Sequence, residues 1–300
     1  MNERGALPPV PQRAKLILPI GLVAISCAAI LIKSCEAPPL IIAVYRLAVA
    51  TLVMMVFTLP RTLRECRQTG HQEIFAPFLA GVFLSGHFAF WITSLKYTSV
   101  ASSVIFVTTN PIFVALASAL FFREKLSPIL ISSILVAVLG GLIIGWGDLD
   151  KGASSLYGDI LALLGAVMAT GYLLVGRRAR RIMDLGPYIT RVYGTAAILL
   201  ILFAFINGDS FFHYPPRTYL FFFLLALGPQ LVGHTTLNWS LKFFSATFVA
   251  IFILGEPIGA TLLAYFLLGE PLSQNIIWGG ILVLLGIFLS AREERKMAAA

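Results

Sequence analysis

Long runs of apolar residues follow one another along the chain, with short polar connections between them. A run of about 20 apolar residues is long enough to cross the hydrocarbon core of a bilayer as an α-helix. No window between the runs is long enough for a soluble domain, since the longest connection, residues 60–73, has only 14 residues. The pattern predicts ten transmembrane helices, at 15–33, 38–59, 75–95, 99–122, 127–146, 156–176, 187–206, 218–240, 244–268 and 274–291.

Composition supports an all-α integral membrane protein. The chain is 58% hydrophobic and only 12% charged, with a mean hydropathy of +0.90, whereas soluble domains carry about 25% charged residues. The net charge of +8 could suggest nucleic acid as a partner. However, the basic residues lie mainly in the short connections, so we interpret them as topology signals and expect the bilayer, not nucleic acid, as the partner.

The distribution of Lys and Arg predicts the orientation in the membrane. With the N-terminus inside, 17 of the 22 Lys and Arg residues fall on the cytoplasmic side. The five that remain outside are Lys33, Arg46, Lys96, Lys151 and Arg217. By the positive-inside rule, both termini are expected in the cytoplasm, as an N-terminal tail at 1–14 and a C-terminal tail at 292–300. The expected location is the cell's inner (plasma) membrane.

An internal repeat relates the two halves of the chain. Residues 94–127 align without gaps with residues 240–273, and 12 of the 34 positions are identical. The identities include the pairs Lys96 and Lys242, and Pro111 and Pro257. Because each half contains an odd number of helices, the second half must cross the membrane in the opposite sense. The sequence therefore predicts two inverted five-helix repeats, at 15–146 and 156–291, an architecture typical of secondary transporters.

Three stretches resemble a known family. "SVIFVTTNPIFVALASALFFREKLS", "YGDILALLGAVMATGYLLVGRRAR" and "IFILGEPIGATLLAYFLLGEPLS" are similar to segments of the drug/metabolite transporter (DMT) superfamily, in its EamA-like branch of ten-helix exporters. The resemblance covers roughly residues 15–291. It implies alternating-access transport of small organic solutes, often the efflux of amino acids or other metabolites, around a central cavity.

Glu256 is an acid inside an otherwise apolar run. A carboxylate near the centre of a transmembrane helix costs about 2.5–3.5 kcal/mol on insertion scales, so it normally faces a cavity or carries a proton. Pro257 beside it cannot donate a backbone hydrogen bond and is expected to kink the helix. Asn110 and Pro111 hold the equivalent places in the first repeat. We predict that Glu256 and Asn110 line the cavity; alternatively, both shape their helices and are satisfied by neighbouring backbone.

Two histidines occupy related positions. His234 and Asn238 are four residues apart and hence on one face of the eighth helix, and His87 and Trp91 are arranged in the same way on the third. The repeat alignment brings His234 within one position of His87. This symmetry favours a place for all four side chains in the cavity, although a lone histidine is often bonded to a helix carbonyl.

Three further side chains are weaker candidates. Tyr172 and Trp239 are large aromatic residues at membrane depth, and each lines the cavity or only fills a packing space. Arg46 could bind a substrate carboxylate with two hydrogen bonds. Its place early in the second apolar run favours instead an extended side chain that reaches the lipid headgroups at the outer interface.

The leading functional hypothesis is a secondary active exporter of amino-acid-like metabolites, with protons as a candidate coupling ion. An uptake permease of the same fold is the alternative, and a passive channel fits kinked, symmetric helices less well. An intramembrane enzyme would use His87, His234 and Glu256 as its cluster. The chain lacks zinc-ligand spacing, a phosphate-binding loop and a Ser-His-Asp order, so we predict neither catalysis, nor a cofactor, nor a metal.

Overall fold

The computed structural model describes residues 10–68, 71–122, 127–149, 153–244 and 246–299. These ranges contain helices and connections and no strand, so the all-α prediction is confirmed. A π-helical stretch, here named the π segment (Ala226–His234), joins α10 to α11. The α-helices are α1 (Ala14–Ser26), α2 (Ala28–Lys33), α3 (Pro39–Gln68), α4 (His71–Ser94), α5 (Val100–Val107), α6 (Asn110–Phe122), α7 (Pro128–Leu149), α8 (Ala153–Arg180), α9 (Leu185–Ile206), α10 (Pro216–Leu225), α11 (Thr235–Ser240), α12 (Ala246–Phe252), α13 (Gly255–Leu268) and α14 (Gln274–Ala299).

Helical stretches long and apolar enough to cross a membrane dominate the fold. In the described part of the chain there are eight, at Ala14–Lys33, Pro39–Glu65, Phe75–Ser94, Val100–Ala117, Ser154–Arg180, Leu185–Ile206, Pro216–Ser240 and Phe248–Leu268. Two shorter apolar stretches, Ile131–Ile143 and Gln274–Gly286, lie within the fifth and tenth predicted segments. The protein is therefore a multi-span helical membrane protein, and the full number of ten spans stays a prediction.

Several helices continue beyond the apolar runs. The connection predicted at 60–73 is mostly helical, because α3 runs to Gln68 and α4 begins at His71. The predicted C-terminal tail also begins as helix, since α14 runs to Ala299. A search for apolar windows finds only the part of a helix that lies in lipid. It does not detect polar turns that extend the same helix into water. Of the predicted N-terminal tail, residues 1–9 lie outside the described part of the chain.

The fourth and ninth predicted helices are each interrupted near the middle. The first breaks between α5 and α6 at 108–109, and the second between α12 and α13 at 253–254. Each break lies just before a proline, Pro111 or Pro257, which falls in the first turn of the helix that follows. Proline suits a first turn because its missing N–H needs no partner there. Each apolar run therefore becomes two half-helices whose junction lies at membrane depth.

Close helix packing depends on glycine at particular positions. A Cβ added to Gly140 of α7 would lie 2.5 Å from the Gly279 carbonyl oxygen of α14 and 2.7 Å from the Val283 nitrogen. The neighbouring Gly141 is less confined, since its Cβ would lie 3.5 Å from the nearest atom, Phe106 Cε1, which is an ordinary van der Waals contact. Small residues let two backbones approach in this way inside a membrane, so the α7–α14 contact requires Gly140 more than Gly141.

The helix contacts follow a pattern that relates the two halves. Helix α3 packs against α9, and α7 against α14. Helix α4 packs against α8. The counterpart of α4 in the second half is the π segment, the counterpart of α8 in the first half is α1, and these two also pack together. If the first five predicted segments change places with the last five, the pairs α3–α9 and α7–α14 remain the same. The pair α4–α8 becomes the pair formed by the π segment and α1.

Candidate functional site

A central cavity lies where the interrupted helices meet α3, α4 and α8. Six of the predicted residues line it: His87, Trp91, Asn110, Tyr172, His234 and Glu256. The cavity offers about 40 Å³ to the centre of a water molecule. Since one water needs about 10–15 Å³ by that measure, there is room for only a few waters.

The half-helices present their first turns to the cavity. Asn110 begins α6 and Glu256 is the second residue of α13, and both side chains line the cavity. The Glu256 N–H donates to the Ile253 carbonyl at 2.8 Å, which closes a tight turn at the helix break. Helix N-termini carry partial positive charge, so a carboxylate in the first turn is stabilised there. The Oδ1 atom of Asn110 is buried and has no partner among the described residues.

The two histidines meet in the cavity. Their ring centroids are 6.2 Å apart, and the His87 ring stacks on Trp91 at 5.8 Å. His87 Nδ1 lies 3.0 Å from the Gly165 carbonyl oxygen, so Nδ1 carries the proton and donates to α8. His234 Nδ1 has no partner in the described part of the chain. No group of three His, Cys, Asp or Glu side chains in that part could hold a metal ion.

Asn238 and Trp239 lie outside the cavity lining. Asn238 is fully buried one layer behind it, where its Nδ2 donates to Tyr172 Oη and to the His234 carbonyl, the latter at 2.8 Å. It therefore fixes the orientation of the Tyr172 ring. Trp239 packs against Phe243 instead, with ring centroids 4.9 Å apart. Trp239 comes two residues after Leu237, which does line the cavity, and two residues along a helix turn a side chain by about 200°, so Trp239 points away from the cavity.

Arg46 lines the cavity, contrary to the expected position at the outer interface. Its side chain is 0% exposed, and its guanidinium lies 4.2 Å from the Phe88 ring centroid and 5.9 Å from that of Trp91. Arg46 lies seven residues after Pro39, the first residue of α3, hence about 10 Å along the helix. From there it could reach the headgroups or turn inward, and the packing of α3 against α4, α9 and the π segment encloses it in the protein interior. Arg46 is therefore not an interface anchor, and it no longer counts among the Lys and Arg residues expected on the outer side of the membrane.

Gln230 holds the arginine in place. Arg46 Nε donates to Gln230 Oε1 at 2.8 Å, while Arg46 Nη1 and Nη2 have no hydrogen-bond partner among the described residues. Gln230 belongs to the π segment, which also contains Pro229. Such π-helical stretches occur frequently at functional sites. Sequence reasoning missed Gln230, and the available signal was a glutamine beside a proline within an apolar run.

The charges in the cavity act on one another. Arg46 and Glu256 both face it and make no direct ion pair, yet each lies within the electrostatic influence of the other. The remaining lining is largely apolar, with Ile25, Ala28 and Ile253 among its residues. The cavity thus combines one guanidinium, one carboxyl, two imidazoles and an apolar wall in the middle of apolar helices.

Comparison with known proteins identifies the family. The chain is 26% identical to the uncharacterized transporter YxxF of Bacillus subtilis over 188 residues, 62% of this chain and 60% of that protein. It is 24% identical to the uncharacterized transporter YdfC of the same organism, over 85% of this chain and 83% of the relative. A riboflavin transporter of Brucella anthropi is 27% identical over 57% of this chain and 56% of that protein.

A solved crystal structure has the same fold, with a TM-score of 0.70 at 19% identity, over 96% of this chain and 99% of the other. The EamA-like transporter family matches this sequence twice, at residues 15–146 and 156–292. Together the two matches cover most of the sequence. The chain belongs to the EamA-like transporter family.

Proposed function

We propose that this transporter is a secondary active exporter of small amino-acid-like metabolites that works by alternating access. The observation that carries the proposal is the central cavity, where Arg46 and Glu256 face the same small space. Ionisable groups inside a membrane protein are costly and usually mark a substrate or ion pathway. A guanidinium and a carboxyl together suit a zwitterion, which carries both opposite charges.

The proposed architecture is a pair of inverted repeats, at 15–146 and 156–291. Two observations support it: the family matches each half separately, and the packing contacts are exchanged when the halves are exchanged. In transporters of this kind the substrate site lies near the midplane between the repeats, beside interrupted helices. The half-helix N-termini at Asn110 and Glu256 fit that description.

The size of the cavity supports a moving structure. Space for a few waters is too little for an amino acid, so the surrounding helices must separate before a solute enters. At the breaks, 108–109 and 253–254, backbone hydrogen bonds change from four-residue to three-residue spacing, as from Thr109 to Phe106 and from Glu256 to Ile253, and such irregular turns can absorb a movement. We propose that the two sides of the cavity open in turn around these breaks.

Proton coupling gives the transport its direction. The ammonium group of a zwitterion and a proton would compete for Glu256, and this competition produces exchange of solute for protons. Exchange moves solute from the cytoplasm to the more acidic exterior. In a proton-coupled uptake permease, by contrast, the solute and the proton enter the cell together.

The expected result in liposomes distinguishes export from uptake. Purified protein is reconstituted, and the accumulation of labelled L-leucine is measured with the interior acidic or alkaline. Solute–proton exchange predicts accumulation above the external concentration only in interior-acidic vesicles. Accumulation in interior-alkaline vesicles would instead establish the uptake permease, and loss of solute to a new chemical product would establish an enzyme.

We propose that the protein lies in the plasma membrane with both termini in the cytoplasm, as the distribution of Lys and Arg favours. Single cysteines at two exposed positions, Arg181 just after α8 and Phe212 in the connection between α9 and α10, test this in a cysteine-free background. A membrane-impermeant thiol reagent should label Phe212→Cys in intact cells, and Arg181→Cys only after permeabilisation. Labelling of Arg181→Cys in intact cells would reverse the topology.

A further inference from the structure

The unusual feature of the cavity is an arginine fork that no described side chain or carbonyl accepts hydrogen bonds from. Arg46 is 0% exposed, and among the described residues only its Nε atom has a hydrogen-bond partner, Gln230 Oε1 at 2.8 Å. The two terminal nitrogens, Nη1 and Nη2, are buried and unpartnered within the described part of the chain. A buried charged donor without a partner is strongly unfavourable. The acceptor for these two atoms must therefore come from outside the described residues.

The arginine is held in one orientation. The guanidinium packs over Phe88 at 4.2 Å and is tied by Gln230 on its Nε side. These contacts leave the Nη1–Nη2 edge as the free edge, and Arg46 contributes to the cavity lining. Because the planar group is pre-oriented, a ligand loses little free energy in ordering it.

The chemistry of the free edge defines the ligand. Two parallel N–H donors match the two oxygens of a carboxylate, and such charge-assisted pairs are stronger than neutral hydrogen bonds. Glu256, the acid that lines the same cavity, makes no direct ion pair with Arg46. Most of the remaining wall is apolar, and includes Ile25, Ala28 and Ile253.

We propose that Arg46 binds the carboxylate of the transported solute through Nη1 and Nη2, and that the solutes are α-amino acids with apolar side chains. This assignment rests on the proposed transport function and names its substrate class. The carboxylate occupies the fork, the ammonium group lies toward Glu256, and the side chain meets the apolar wall. Gln230 is a positioning residue, because it acts on the solute only through Arg46.

The test measures binding to the purified protein, without any transport. Thermal unfolding is followed in the presence of L-alanine, L-valine, L-leucine, L-methionine and L-phenylalanine, and of the corresponding amides. A ligand that binds only the folded state raises the unfolding temperature. We expect amino acids from this panel to do so, and each amide to bind about 100-fold more weakly, because it leaves the fork without its anion.

Variants locate the effect at the fork. Arg46→Lys keeps the charge but loses the paired donors, so about tenfold weaker binding of the amino acids is expected. Arg217→Lys is the matched control, since Arg217 is also an arginine over an aromatic ring, 5.2 Å from the Phe221 centroid, but is exposed and lies outside the cavity lining. It should bind as the unmodified protein does. If Arg46→Lys does not fold, the comparison of acids with amides in the unmodified protein decides.

Each outcome separates this assignment from the transport function. Equal binding of acids and amides, or no binding of any amino acid in the panel, overturns the assignment. If neutral or cationic solutes are nevertheless exchanged by liposomes, the transport function stands without it. Binding of amino acids that the liposomes never exchange would have the reverse meaning. It would support carboxylate binding at Arg46 and contradict the proposed transport function.

Discussion

The Glu256→Gln variant should lose accumulation driven by a pH gradient and still exchange solute at equal pH. Glutamine keeps the shape of the side chain and its capacity to accept hydrogen bonds, but it cannot take up or release a proton. Accumulation in interior-acidic vesicles should therefore fall to the external concentration. Exchange of labelled for unlabelled L-leucine should persist, with weaker apparent affinity because the ammonium group has lost its anionic partner.

The groups that face Glu256 make it the residue to test. Arg46 of α3, His87 of α4, Tyr172 of α8 and His234 of the π segment line the cavity with it. Among the described residues that line the cavity, Glu256 is the only one with a carboxyl side chain. Loss of its proton-binding ability therefore removes the proposed competition with the solute.

Glu270 provides the matched control. It lies just beyond the end of α13, where it pairs with Lys33 Nζ at 2.9 Å and accepts from the Val100 N–H at 2.8 Å. Glu270→Gln should keep pH-driven accumulation. Full accumulation by Glu256→Gln would eliminate proton coupling at this residue and leave Glu256 as a residue that shapes the helix. In that case Glu256→Ala and Pro257→Ala should both impair accumulation and exchange together.

The Ala169→Leu variant should block solute exchange while the protein still folds. Ala169 lines the cavity from α8 and is 7% exposed, so a larger side chain extends into the space that the solute needs. Overpacking at a buried position costs ~1–3 kcal/mol. We expect a roughly tenfold or greater loss of exchange, since a shift of 1.4 kcal/mol in binding is already tenfold.

Val167→Leu is the control for this substitution. Val167 belongs to the same helix, is 45% exposed, and is absent from the cavity lining. Exchange by this variant should match that of the unmodified protein, and both variants should elute as monodisperse protein in size-exclusion chromatography. An Ala169→Leu protein with unchanged rate and half-saturation would move the solute path away from this cavity.

The sequence was informative wherever a single helix face or the repeat carried the information. His87 and His234 were paired through the repeat, and their rings are 6.2 Å apart in the structure. Glu256 and Asn110 stood out as polar residues before prolines, and both line the cavity at the starts of half-helices. Local patterns of this kind survive folding because they fix which residues share a face and where a helix can break.

Arg46 and Gln230 were beyond the reach of these patterns. A charge seven residues into a helix can extend to the headgroups or turn inward, and the packing of α3 against other helices decides which. Gln230 lies in the π segment, where the side-chain directions differ from those of an α-helix. The positions of both side chains depend on a contact between two helical segments, made by residues 184 positions apart in sequence. The periodicity of a single helix does not contain that information.

Counterflow across liposomes tests the central claim most directly, namely that solutes cross by binding in the cavity. Proteoliposomes loaded with unlabelled L-leucine are diluted into labelled L-leucine at equal pH on both sides. Alternating access predicts transient uptake of label that saturates with concentration and requires solute on the opposite side, and that is lost in Ala169→Leu. Uptake that rises in proportion to concentration and ignores the solute on the opposite side would contradict a carrier and establish a channel.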